Sequence, residues 1–124
     1  MTQYGGLQNY KEQSVNTMTQ GELLILLYDE LLKRLTRAEL ALQKPDYEIF
    51  EASIVRSRDI VLYLKKTLNF EYEISNQLRN MYDFFIMEIS RIQSGRNAAV
   101  IQELKPLVKE LRDTFAEADR LSRS

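Results

Sequence analysis

Three arginines, Arg56, Arg58 and Arg79, stand beside apolar stripes and have the strongest claim to chemistry in this chain. Turned into a helical bundle, such guanidiniums would hold an anionic substrate, as in small helical mutases of the chorismate type. On the flank of a bundle they are solvated heads on snorkelling stems, which is their default role. A central pocket with inward guanidiniums is what would favour the enzyme. No other catalytic set offers itself. The 124 residues contain no His and no Cys. Their absence removes the usual zinc ligand sets, thiol nucleophiles, disulfides, iron–sulfur clusters, His-ligated haem and His-dependent triads. A carboxylate-bridged di-iron bundle normally needs Glu-x-x-His on two helices and is disfavoured on the same ground. Gly5-Gly6 lacks the Lys-Ser/Thr and the preceding strand of a phosphate loop. No metal and no cofactor are expected.

Charge is equally reticent. Seventeen basic and eighteen acidic residues give a net charge of −1. Residues 1–62 carry 7 basic and 9 acidic side chains, the remainder 10 and 9. Neither half is basic enough for a nucleic-acid or membrane surface. The first fifteen residues are polar, with no apolar core of a targeting peptide. The longest apolar run, Leu23 to Tyr28, is far too short to span a bilayer. A cytoplasmic protein is expected, and the lack of Cys agrees with a reducing compartment.

The elements that must position any site are helices. Four Gly and two Pro leave few turns, which argues against an all-β fold. Thr19 and Glu22 have the spacing of a capping box, with Met18 and Leu23 at the staple positions. Leu24, Tyr28, Leu31, Leu35, Ala38 and Leu42 then recur at alternating spacings of three and four, one face of a helix. Pro45-Asp46 restarts the chain, and Phe50, Ile54, Ser57, Val61, Leu64 and Leu68 form the second stripe. Leu78, Tyr82, Phe85, Ile89 and Ile92 form the third, closed by Ser94-Gly95, with Gly95 expected in the left-handed conformation. Asn97 caps the fourth, which carries Ile101, Leu104, Val108, Leu111, Phe115 and Ala118. Pro106 falls inside it, but the stripe keeps phase on both sides, so one kinked helix is expected. The pattern predicts an all-α, antiparallel up-down four-helix bundle over 19–121, with helices at about 19–43, 46–69, 72–93 and 97–121. A flexible N-terminal segment, residues 1–18, is expected to precede it.

A bundle helix needs one apolar stripe, and three of these carry more. Ile25 and Leu26 on the first helix, Val55 and Leu62 on the second, and Phe84 and Met87 on the third lie outside the main stripes. They would serve a wide core, a homodimer face, or a groove receiving an apolar helix from a partner. Leu7, Tyr10, Val15 and Met18 are spaced so that the N-terminal segment could fold back over such a groove.

The order and spacing of several stretches resemble the FliS family of flagellin export chaperones, from about Tyr10 to Ala118. The stretches are Tyr10 to Thr17, Thr19 to Leu23 followed by Leu26 to Asp29, Ile54 to Val61, Met81 to Phe84, and Leu111 to Phe115. Phe115 stands where the family usually has tryptophan, Met87-Glu88 where many members have two arginines, and Ile92-Gln93 where Ala-Asn is usual. Glu71-Tyr72-Glu73 lacks the common Gly-Gly loop. The resemblance implies a cytoplasmic four-helix bundle with no catalytic activity. It implies binding of the disordered C-terminal segment of flagellin, prevention of premature polymerisation, and delivery to the cytoplasmic domain of the flagellar type III export gate. By the same likeness, Leu7 and Tyr10 are linked to gate recognition. An anti-sigma or assembly factor is a further partner to consider. The alternative is a homodimeric helical scaffold that buries the surplus apolar surface against itself.

Overall fold

The computed structural model describes residues 18–123. They form four α-helices, α1 (Gln20–Gln43), α2 (Tyr47–Lys66), α3 (Ile74–Gly95) and α4 (Ala98–Ser122). The N-terminal segment, including Leu7 and Tyr10, lies outside the described residues.

Three of the four helices begin on a side-chain cap. Thr19 Oγ1 accepts from the Glu22 N–H at 3.1 Å, Asp46 Oδ1 from the Ile49 N–H at 3.1 Å, and Asn97 Oδ1 from the Val100 N–H at 3.4 Å. Each bond satisfies an amide that the first helical turn leaves without a partner. The capping box expected at Thr19 is half realised, because the Glu22 carboxylate pairs with Arg123. α2 stops at Lys66 rather than near residue 69. The Thr67 N–H bonds back to the Tyr63 carbonyl at 3.1 Å, and the Thr67 hydroxyl donates to the Leu64 carbonyl. The left-handed residue after α3 is Arg96, at φ 47°, and not Gly95. Gly95 is the last helical residue, and the Arg96 guanidinium lies 3.6 Å from the centre of the Tyr47 ring. A cation–π contact of this kind offsets part of the cost of left-handed backbone at a residue with a Cβ.

α4 runs unbroken through Pro106, as the phase of its stripe requires. Proline has no N–H, so the Gln102 carbonyl lacks its helical donor.

The helices pack in cyclic order. α1 has its most extensive contacts with α2 and α4, α2 also meets α3, and α3 and α4 make the sparsest contact of neighbouring pairs. Arg112 pairs with Asp29 and Lys105 with Glu39 across α1 and α4. Lys65 pairs with Asp83, and Arg58 donates to Gln93, across α2 and α3. Both sets of partners run in opposite chain directions, which makes the bundle antiparallel up-down.

Tyr28, Leu31, Leu35, Phe50, Ile54, Val61, Leu64, Tyr82, Phe85, Ile89, Ile92, Ile101, Leu104 and Val108 are buried in the single core. At its centre the hydroxyls of Tyr28 and Tyr82 meet at 2.6 Å across the diagonal of the bundle. Ser57 is buried too, its hydroxyl donating to the Ser53 carbonyl at 2.9 Å, so a polar side chain on the α2 stripe is satisfied within its own helix.

The tyrosine pair gives a test by alkali. Burial pushes both phenols above the ordinary value of 10.0, and in Tyr28 the neighbouring Tyr82 adds to the effect. A raised folded-state value means that the protonated form is the one the fold favours. Its contribution is complete below about pH 10 and is lost progressively above that, as unfolded chains release protons that the folded chain retains. Unfolding free energy should therefore be insensitive to these groups near neutrality and fall above about pH 10. In a spectrophotometric titration two phenols should ionise only as the helical signal collapses.

Candidate functional site

The arginines come first, because they decide between catalysis and docking. Arg58 donates to Gln93 Oε1 at 2.5 Å, within a chain that continues from Gln93 to Glu51 at 2.9 Å. Arg79 lies over the Phe70 ring at 5.7 Å, and Arg56 is exposed. All three occupy the outside of the bundle, and none joins a central pocket. Among the described residues no cluster of acidic side chains could hold a metal ion.

The six apolar residues singled out by the sequence are distributed around the bundle. Val55 and Leu62 are 44% and 45% exposed. They lie on the flank of α2 that also carries Glu51, Arg58 and Lys65, the residues turned toward α3. They therefore edge the α2–α3 seam. Phe84 is on the opposite flank of α3, toward α4. Met87, 52% exposed, is on the outer ridge between the two seams. Ile25 and Leu26 are half-buried. Ile25 shares its flank with Asp29 and Glu39, which pair with α4, and Leu26 turns away from that seam. The six do not converge on one groove.

A trough does exist, between the first half of α3 and the second half of α4. Antiparallel register about the turn at 95–97 sets Met81 level with Leu111 and Ile74 level with Ala118. By helical phase all four point toward the core. Yet Ile74 is 52% and Met81 40% exposed, Ala118 is exposed, and Leu111 and Phe115 are only half-buried. The two helices therefore leave core-facing side chains uncovered where they run furthest from their connecting turn. The floor is aromatic: Phe115 lies 5.8 Å from Tyr28, ring centre to ring centre. Phe84 stands on the α3 edge, 6.3 Å from the buried Phe85.

The outer face of α4, shared by Lys109, Glu110, Asp113 and Glu117, carries three carboxylates. Hydrogen bonds from Lys109 and then Arg112 hold the Asp113 carboxyl below the usual range, and Arg120 does the same for Glu117. Both are charged at neutral pH, beside Glu110. At the closed end, near the turn, Glu88 is buried on the α4 side of α3. Its carboxylate accepts two bonds from Arg91 of the same helix, at 3.0 and 3.2 Å. Sequence reasoning had noted Glu88 only as a departure from a family pattern.

The trough lining was the part that pattern reading missed. Ile74 and Met81 are on the core side of α3 by phase, so nothing in the spacing marks them as accessible. One signal was present. The α4 stripe ends in Ala118 after Phe115, and an alanine cannot fill the space opposite a large residue.

Accessible apolar side chains around a half-buried aromatic ring suit a bundle that holds another chain. Comparison with known proteins points to which kind of bundle. The family model described as "Flagellar protein FliS" matches residues 3–122. The chain belongs to the FliS family of flagellar proteins. It is also similar to the flagellar secretion chaperone FliS of Bacillus subtilis (strain 168), with 29% identity over 109 residues. That alignment covers 88% of this chain and 82% of the relative. In general terms, then, the function is that of a flagellar export chaperone and not of an enzyme, and the mutase reading of Arg56, Arg58 and Arg79 falls. Two of the departures noted above acquire a structural meaning in this FliS member. Phe115 packs on Tyr28, and Gln93 bridges Glu51 and Arg58.

Proposed function

We propose that this protein binds the disordered C-terminal segment of flagellin in the cytoplasm, keeps it from polymerising early, and delivers it to the cytoplasmic domain of the flagellar export gate. The observation that carries the reading is the trough, where core-facing apolar residues of α3 and α4 lack cover within the described residues. An amphipathic helix of the client would lay its apolar stripe there. Val55, Leu62 and Met87, on the next seam and ridge, would take further turns of a chain that wraps. A client that orders only on binding loses conformational entropy, so a long contact over more than one seam suits it better than a single pocket. Met81 and Met87 tolerate varied partner side chains. Among the described residues no helix is long and apolar enough to cross a membrane.

The test is capture of purified full-length flagellin and of flagellin lacking its C-terminal segment. The full-length protein should be retained and the truncated one lost. Equal retention of both would place the contact elsewhere on the client. Light scattering addresses the scaffold alternative. A concentration-independent dimer that ignores a flagellin C-terminal peptide would reject the chaperone reading.

Two substitutions separate the surfaces. Leu62→Asp should keep the helical signal and stability within about 0.5 kcal/mol, because the side chain is already half in water, while weakening flagellin binding. Unfolding of the variant would mean that this face of α2 belongs to the core. Tyr10→Ala should leave flagellin binding intact and lower export in a motile host, since we assign Tyr10, with Leu7, to the export gate. Normal export in that strain would remove it from this role.

A further inference from the structure

The two halves of α4 are attached in different ways. Before Pro106, Val100, Ile101 and Leu104 are buried, with Val108 just beyond. From Lys109 to Ser122 no side chain is fully buried, and Leu111 and Phe115 are half-buried at most. What ties this second half to α1 is the ring contact of Phe115 with Tyr28 together with charge. Arg112 Nε and Nη2 reach the two carboxylate oxygens of Asp29 at 2.9 and 3.5 Å, and Arg123 pairs with Glu22. Partly exposed ion pairs are individually weak and are screened by salt. Between the two halves stands Pro106, where one backbone hydrogen bond of the helix is missing. The weakly attached half is also one wall of the trough.

We infer that α4 is hinged at Pro106 and that its second half is a movable jaw, clasped to α1 by Asp29–Arg112 and Glu22–Arg123, which swings out to admit the client helix. The inference rests on the chaperone reading for its purpose. The motion itself follows from packing: a segment with few buried contacts and a weakened joint opens locally before the rest of the fold. Opening exposes the Phe115 ring and the face of Tyr28 beneath it, so the client gains aromatic surface that the closed form half covers. The clasp sets the closed population, and with it the rate of capture.

Gly21 supplies the lock. A Cβ added there would lie 3.5 Å from the Asp119 Cβ, within the span of a disulfide. The native chain has no Cys to compete. In Gly21→Cys/Asp119→Cys, oxidation should slow association with full-length flagellin at least tenfold, and reduction should restore it. Hydrogen exchange without client should show amides of 109–122 opening faster than those of 98–105 in the native chain, and slowed by the disulfide. Pro106→Ala, which returns the missing N–H, should slow both exchange and capture severalfold. Uniform exchange along α4, or equal capture by the oxidised and reduced forms, would overturn the hinge. If no form bound flagellin, the native chain included, the chaperone reading would fail, and the exchange pattern would still decide whether α4 is hinged.

Discussion

Exchanging Met81 and Phe84 together for aspartate should leave the helical circular-dichroism signal in place and weaken flagellin binding by at least about a hundredfold. Both side chains are already in contact with water, at 40% and 37% exposure. The fold loses little when they become polar. A bound client would lose two apolar contacts, each worth about 1.5–3 kcal/mol when fully buried. It would also meet two new carboxylates where its apolar stripe should lie. Titration calorimetry with the flagellin C-terminal segment reads the loss directly. Binding within threefold of the native chain would empty the trough of its assigned role.

Phe85→Ala should do the reverse. Its ring is fully buried, 6.4 Å from Tyr82 and 6.3 Å from Phe84, centre to centre. Truncating a buried phenylalanine costs about 3–5 kcal/mol, from lost transfer energy and the cavity left behind. Against a total stability of about 5–15 kcal/mol for a small domain, that is a large fraction. The urea midpoint should fall by more than about 1 M. Two adjacent residues of the same type thus part company. Phe84 serves the surface and Phe85 the core. A Phe85→Ala variant as stable as the native chain would mean that the α3 stripe had been placed on the wrong face.

That contrast also shows how much of the molecule is legible in the sequence. Period and caps were enough for four helices, because Thr19, Asp46 and Asn97 each hold an amide that the helix start leaves open. Leu31, Leu35, Phe85 and Ile89 could be assigned to the core from alternating spacings of three and four alone. Turn geometry was less legible. Gly95 was the obvious candidate for left-handed backbone, but the chain places Arg96 there, where a tertiary contact with Tyr47 acts. No local pattern encodes a contact across so many residues.

The site was the least legible part, for a related reason. Phase tells which way a side chain points on its own helix, and it identified Val55, Leu62, Phe84 and Met87 as surplus. It does not tell how closely the neighbouring helix comes. Ile74 and Met81 point inward and are open, because α3 and α4 make the sparsest contact of the neighbouring helices. Glu88 points partly inward and is buried, because Arg91 one turn later answers its charge. Distance between helices depends on the side chains of both, so the trough became visible only when α3 and α4 were seen together.

The most direct test of the trough is a photo-crosslinking residue placed at Met81 in the full chain, with a second placed at Lys109 on the solvent face of α4 as reference. On irradiation with full-length flagellin, the Met81 position should join to the flagellin C-terminal segment and the Lys109 position should not. Crosslinks from Met81 only to a second copy of this protein, or none to flagellin at concentrations that form the complex, would contradict the assignment of the client to the cleft between α3 and α4.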